Sequence, residues 1–403
     1  MAQRLTVAVI GCGSFARNFV PLFQVHPTVD KVYVCDLIPE KAQEYAEKFN
    51  VEIIPTFEDV LASKEINTVA IFAQRHLHGE LVIRALKAGK HTYSAVPMGI
   101  TVDECREIIA AQEETGATYM MGETCIYYPC SMYCKEAYER GDFGNFVYGE
   151  AQYFHDLLHF KEEYRFDPAG GGAPPFFYPT HSTAMLLNAL GESVVRVTGM
   201  GYKDKEEGSL FGAGKNPWDN EFSDEFALME LTNGGIIRIS ECRRIGYKAP
   251  SSYISGFYGT QGAYQYANAQ HTQTKLTPEG VELKDVSARV NPTAMTEAKE
   301  EMNCSEHFKH LVANHRWAWN NNYAPVQEER RQAMPESFHD DTLHNGHMAS
   351  HKFLIDDFCT AAANGTKPPV DARTAARFTV PGLLAHESAL KGGMPIEVPE
   401  DLR

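Results

Sequence analysis

Over the first 120 residues, short apolar runs alternate with stretches of helical periodicity. Residues 7 to 10 (Val-Ala-Val-Ile) read as a buried strand, and Lys31–Cys35 as a second. Pro39–Phe49 has the pattern of a helix, Val51–Ile54 of a strand, and Asp59–Ala62 lies within a short helix. Thr68–Phe72 is a strand, Gly79–Ala88 a helix closed by Gly89, and His91–Ser94 the next strand. Val102–Thr115 and Thr118–Met121 complete the series as helix and strand. Parallel strands need helical crossovers, so this alternation predicts a doubly wound α/β sheet. Ligands of such sheets lie at the carboxyl ends of the strands, here the loops after Ile10, Phe72, Ser94 and Met121.

Beyond about residue 123 the texture changes, and we expect a dinucleotide-binding domain over 1–123 and an α+β domain over 124–403. A helix spanning Tyr128–Arg140 precedes strands at Val147–Phe154, Val194–Met200, Glu225–Leu231, Gly235–Ser240, Tyr253–Tyr258 and Gly262–Tyr266. Thr232-Asn-Gly-Gly235 is a hairpin turn, so the second sheet should be open and mostly antiparallel. Asn303–His351 is polar, rich in histidine and weakly periodic, and helices at about Ser350–Asn364 and Ala372–Lys391 finish the chain.

The first strand runs into Gly11-Cys-Gly13-Ser-Phe-Ala16, a G-x-G-x-x-A pattern, and the second ends on Asp36, twenty residues beyond Ala16. Gly11 permits a tight turn, and Gly13 lets bare main chain approach a pyrophosphate. A helix from Phe15 would offer free N–H groups to that anion. Asp36 is placed to accept hydrogen bonds from an adenosine ribose and would repel a 2′-phosphate; Leu37 and Ile38 supply no cation for one. The expected cofactor is therefore NAD.

The bulk numbers narrow the partners. A net charge of −16 with no basic block argues against nucleic acid and anionic membranes. No apolar run is long enough to span a bilayer. Nine cysteines without a repeated pair spacing, and no leader-like opening segment, fit free thiols in a reducing cytoplasm. Cys125, Cys130 and Cys134 form one cluster, read as packing thiols because no fourth soft ligand is nearby.

With these features in view, the chain resembles the Gfo/Idh/MocA oxidoreductases. Ala85-Leu-Lys-Ala-Gly-Lys-His91 is similar to the family lead-in, His76-Leu-His78 to its NxLH turn, and Gly170-Gly-Gly172 followed by His181 to its GGG…H segment. His386-Glu-Ser-Ala389 with Gly392-Gly393 is similar to its closing helix. The resemblance implies a Rossmann domain joined to a sheet domain, and oxidation or reduction of a sugar, cyclitol or glycoside hydroxyl with NAD(P). It also implies a homodimer or homotetramer. Departures stand beside the matches. The family Glu-Lys-Pro is Ala95-Val96-Pro97, so the usual lysine beside the nicotinamide is absent. Phe177 and Ala184 replace carboxylates near the family histidine, and Ala73-Gln74 replaces Thr-Pro. Some members recycle bound NAD while splitting a glycoside by transient oxidation and elimination, which is the alternative reading here.

The candidate cofactor set is Gly11, Gly13, Ser14, Phe15, Ala16 and Asp36, with Ala73, His76, His78, Pro97 and Glu123 from later strand ends. His181 matches the family position and is the expected acid/base, aided by Tyr178. His155 and Arg165 follow a strand that should end near the substrate, with Asp156 and His159 close by. His347 and His351 match a family segment that approaches substrate. With His344 they are spaced for one helical face, near Asp340 and Asp341, so metal binding and solvent exposure stay open; no metal is assigned. Trp317, Trp319 and Tyr323 could stack on a sugar or pack in a core.

Overall fold

The computed structural model describes residues 2–155, 171–245, 251–267, 270–292 and 322–403. Contacts divide the chain into two compact units. The first is Met1–Glu123 with Arg330–Gly346 and His351–Ala376; the second is Thr124–Glu329 with His347–Ser350 and Arg377–Arg403. Two late segments that the sequence reading placed in 124–403 thus pack with the first unit.

In the first unit, strands β1 (Leu5–Ile10), β2 (Val29–Cys35), β3 (Glu52–Ile53), β4 (Thr68–Ile71), β5 (His91–Ser94) and β6 (Tyr119–Met121) form a parallel sheet in the order β3-β2-β1-β4-β5-β6. The order reverses beside β1, the switch point where such sheets open a crevice. The crossovers are α2 (Pro39–Phe49), α3 (Phe57–Ala62), α4 (His78–Lys87) and α5 (Val102–Thr115), with the short α1 (Val20–Val25) after β1. Local signals set their ends: Thr101 and Glu104 form a reciprocal capping box on α5, and Gly116 closes it at φ 66°. β4 is buried throughout, as a strand covered on both faces must be.

One expectation is corrected here. No α-helix starts at Phe15: a 3-10 turn spans Ala16–Asn18, and the α-helical ladder begins only at Val20. Pro21 has no N–H to donate back into the turn, so it is tolerated only in the first turn of the helix that follows.

In the second unit, α6 (Pro129–Glu139) and α7 (Thr180–Leu190) lie with a nine-stranded sheet among the described residues. Its strands are β7 (Phe146–Phe154), β8 (Val194–Lys203), β9 (Phe222–Leu231), β10 (Ile236–Cys242), β11 (Ser251–Gly259), β12 (Gly262–Ala267), β13 (Gln270–Thr277), β14 (Gly280–Asp285) and β15 (Ile396–Glu397). The order is β14-β13-β12-β11-β7-β10-β9-β8-β15, and β7 with β10 is the one parallel pair. The Thr232–Gly235 turn joins β9 to β10 as an antiparallel hairpin. Along β9 the core takes Ala227, Met229 and Leu231, while Phe226 and Leu228 face outward.

The β13–β14 hairpin was not foreseen. Every residue of β14 is exposed, its alternating Val281 and Leu283 included, and β13 is mostly threonine, glutamine and lysine, so the little apolar alternation at this edge marks no core face. The chain ends with α8 (His351–Asn364) and α9 (Ala372–Leu390). No helix among the described residues is long and apolar enough to cross a membrane.

Candidate functional site

The glycine loop after β1 behaves as two different positions. At Gly11, φ is 93°, and an added Cβ would lie 2.9 Å from the main chain of Phe72 and Ala73. The fold itself therefore demands glycine there. At Gly13 an added Cβ would meet nothing within 4 Å, and φ is not positive. Nothing inside the protein requires glycine at 13, whereas a ligand lying against bare main chain would.

Asp36 is already oriented. Its carboxylate accepts from the Cys12 N–H at 2.6 Å and the Ile38 N–H at 2.8 Å, one bond to each oxygen. Each oxygen keeps a lone pair for a ribose hydroxyl. The Tyr45 hydroxyl donates to the Gly13 carbonyl and ties α2 to the loop. Leu37 projects almost wholly into solvent and, like Ile38, carries no charge that could meet a 2′-phosphate beside Asp36. These residues fit an NAD-type dinucleotide.

The remaining cofactor candidates are less alike. Ser14 is exposed, Phe15 half-buried and Ala16 buried. His78 is buried, with Nδ1 2.7 Å from the Pro97 carbonyl and Nε2 2.9 Å from the Ala73 carbonyl. It braces the loops after β4 and β5 against each other. Burial pushes its pKa down, although both carbonyl contacts pull the other way. A neutral ring can donate to only one of the two carbonyls. His76 is half-buried in the 3-10 turn Arg75–Leu77, and Glu123 is fully buried just after β6.

His351 lies in the first unit and is fully buried, its ring centroid 4.5 Å from that of Phe19 and 5.5 Å from that of Phe15. His344 is its neighbour at 5.7 Å. The three late histidines do not share a helical face: His347, Met348 and Ala349 have φ of 47°, 55° and 61°, a left-handed turn, and α8 begins only at His351. The shared-face expectation is therefore corrected; a reversed turn breaks the 3.6-residue period. Among the described residues the three do not group as ligands for a metal.

In the second unit a cluster of tyrosines and histidines assembles from three segments. The Tyr178 hydroxyl is 3.1 Å from His181 Nε2, at the start of α7. The Tyr153 hydroxyl, near the end of β7, is 2.7 Å from His155 Nδ1. The Tyr153 ring meets the His181 ring edge-on at 5.0 Å and lies 6.0 Å from that of Tyr178. His347 brings its ring to 6.4 Å from His181. Its left-handed turn is held by Gln327, which is fully buried and donates from Nε2 to the carbonyls of Met348 at 2.8 Å and Tyr127 at 2.9 Å. Left-handed backbone at three successive non-glycine residues is strained, and such strain persists only where surrounding contacts over-determine it.

Beneath the cluster runs a row of charge. Glu225 and Glu241 are directly opposite on β9 and β10, and both are fully buried. Glu225 accepts from the Phe176 N–H at 2.8 Å and lies 2.7 Å from His386 Nδ1. Glu241 accepts from the Ser182 hydroxyl and pairs with Arg243 at 3.1 Å. The Arg243 guanidinium sits 5.0 Å from the Tyr153 ring centroid. Burial opposes the charge of Arg243, yet Glu241 and Tyr153 hold its pKa above the ordinary value.

Sequence reasoning singled out Tyr178, His181, His155 and His347, and the structure brings these four together. It passed over Tyr153, Glu225, Glu241 and Arg243. The available signal was parity: both glutamates occupy core-facing positions of strands, where a charge needs a buried partner. Ala184 is core packing within α7, and Phe177 packs edge-on to Trp218 and His386, so neither position supplies a substitute carboxylate. Arg165, Asp156, His159, Trp317 and Trp319 lie outside the described residues.

Residues 5–123 match the oxidoreductase family with an NAD-binding Rossmann fold. A protein of Streptomyces filamentosus, described as a glycosyl hydrolase family 109 protein, is 22% identical over 98% of this chain and 77% of its own length. A protein of Saccharopolyspora erythraea with the same description is 21% identical over 100% of this chain and 84% of its own. Among solved structures, levoglucosan dehydrogenase in complex with NADH and levoglucosan shares the fold at TM-score 0.75 and 18% identity, covering 99% of this chain and 100% of that one. An oxidoreductase from Agrobacterium radiobacter, in complex with NAD+, L-tartaric acid and magnesium, does so at TM-score 0.70 and 15% identity, covering 98% of both.

Proposed function

Through residues 5–123 the chain belongs to the Gfo/Idh/MocA oxidoreductases, and from that premise we propose an NAD-dependent oxidoreductase acting on a secondary hydroxyl of a sugar, cyclitol or glycoside. The observation that carries the cofactor is Gly13, a glycine with no internal reason to be one. Its main chain would lie against the pyrophosphate, with Asp36 on the ribose. NAD, when bound, supplies the hydride acceptor or donor. The chain's own part is proton transfer and positioning. A carbinol proton passes to the Tyr178–His181 pair, whose hydrogen bond makes the phenol a relay to Nε2. His155 and His347 are the substrate-contacting side chains beside that pair, and Arg165 is a further candidate.

A second reading is favoured by a specific feature: splitting a glycoside by oxidation and elimination needs two proton-handling groups, and the cluster holds two hydrogen-bonded Tyr–His pairs. The relatives described as glycosyl hydrolases, and the absence of a lysine at Val96, point the same way. One assay separates the readings. Purified enzyme with added NAD+ is given myo-inositol, levoglucosan and a panel of p-nitrophenyl glycosides. NADH accumulation on a free polyol or sugar supports the dehydrogenase. Nitrophenol release without net NADH supports glycoside cleavage, and neither signal from any of these would count against both.

The outward face of the second sheet exposes Met200, Tyr202, Phe226 and Leu228, which supports pairing with a second copy of the chain as a homodimer or homotetramer. The eight described cysteines are buried and none is joined in a disulfide, in keeping with a reducing cytoplasm.

A further inference from the structure

We propose that Arg243 is an electrostatic positioning residue: with Glu241 behind it, its guanidinium sets how readily Tyr153 gives up its phenolic proton to His155. The inference rests on the reading of Tyr153–His155 as the second proton-handling pair. It concerns a residue in contact with no predicted substrate group.

Three observations lead to it. The Glu241–Arg243 pair is buried almost completely, with exposures of 0% and 4%. Buried ion pairs add little to stability and can often be replaced by apolar side chains without loss, so stability alone does not account for this one. The cation is also placed over an aromatic face rather than at a surface, 5.0 Å from the Tyr153 centroid. Finally, Glu241 is itself fixed by the hydroxyl of Ser182, the residue after His181, so the pair is built into the same corner as the other Tyr–His pair.

The groups facing Tyr153 can be named element by element among the described residues. His155 lies just beyond the end of the same strand and takes its hydroxyl. Glu241 is its register partner on β10, and Arg243 follows that strand. On β11 the partner is Ser252, which carries no charge. Tyr178 and His181 approach from the start of α7. Arg243 is thus the one permanent cation facing the ring in this set. A proton leaving the phenol for His155 Nδ1 leaves negative charge on the tyrosine oxygen, and the guanidinium stabilises that charge. No bond to carbon changes in this step: the O–H bond breaks, an N–H bond forms, and the electron pair stays on oxygen.

Arg243 also donates to the carbonyls of Cys242 at 3.2 Å and Pro175 at 3.3 Å, so a purely structural role must be told apart. The test is tyrosine ring NMR on full-length protein carrying 13Cζ-tyrosine, with the Tyr153 signal assigned by Tyr153→Phe. The pH midpoint at which this signal moves towards the phenolate position in the wild type sets the reference. Arg243→Met should shift its midpoint upward by at least about tenfold in proton affinity, while Arg243→Lys, which keeps the charge and loses the fork, stays near the wild type. Should Arg243→Met fail to fold, the double variant Arg243→Met/Glu241→Gln removes both charges; because the lost carboxylate also opposed the phenolate, it should show an upward shift smaller than that of Arg243→Met alone. Equal midpoints in the Met and Lys variants, an unmoved midpoint in the double variant, or a wild-type Tyr153 that stays neutral throughout would overturn the proposal. The readout needs no substrate, so an enzyme that cleaves no glycoside defeats the second functional reading without touching this result.

Discussion

The glycine loop of the first unit and the Tyr–His cluster of the second are built in opposite ways. The loop is defined by what it lacks, a side chain at Gly13, and by a carboxylate held still by two main-chain N–H groups. The cluster is defined by what it gathers, with phenols and imidazoles in hydrogen-bonded pairs over a buried row of charge. A main-chain site can be written in one short stretch of sequence. A side-chain site has to be collected from distant ones, here β7, the start of α7, the turn at His347 and the end of β10.

The sharpest break in that comparison comes from Gly13→Val. Since an added Cβ meets nothing within 4 Å, folding should be untouched, with stability within about 0.5 kcal/mol of wild type by thermal melting. NAD affinity measured by calorimetry should fall by at least about 100-fold, or roughly 2.7 kcal/mol. Retained affinity would mean that no ligand approaches this main chain. His181→Ala inverts the pattern: turnover should drop by about two to four powers of ten while NAD affinity holds. A parallel loss of NAD binding would contradict the separation of roles.

This contrast also explains what the sequence could reveal. The Rossmann unit was legible because strand, glycine turn and Asp36 follow one another within thirty residues, and Thr101 with Glu104 writes a helix start in four. The helix after the glycine loop was misplaced because the pattern says nothing about Pro21, which delays the ladder to Val20. His181 was visible through a family resemblance, and Tyr178 as its near neighbour in sequence. Tyr153 and Arg243 were not, since neither carries a local motif and their meeting depends on the β7–β10 register. The left-handed turn at His347 is hidden as well, because histidine, methionine and alanine give no warning of positive φ.

Smaller effects sharpen the picture of each region. In the second unit, Gln327→Leu removes the two bonds that hold the turn carrying His347, and a third to the Ala324 N–H. Stability should fall by about 2–4 kcal/mol, and turnover by about tenfold with NAD affinity preserved. Unchanged turnover in a folded variant would remove His347 from the site.

In the first unit the corresponding probe is pH. Burial holds the pKa of His78 below its ordinary value, so the unfolded chain binds a proton there more readily than the folded one. Its contribution to stability is therefore present above about pH 6.5 and is lost as the pH falls below that. Urea unfolding at pH 7.5 and 5.5 should show this fall, and the fall should be smaller in His78→Gln. An identical fall in the variant would show that the ring binds its proton equally well in the folded and unfolded chain.

The most direct test remains the cofactor itself. Cofactor-stripped protein titrated with NAD+ and with NADP+ in a calorimeter should bind NAD+ at least about tenfold more tightly, as a carboxylate at Asp36 placed to meet the 2′ position requires. Folded protein that releases no heat with either dinucleotide, or that prefers NADP+, would contradict the account.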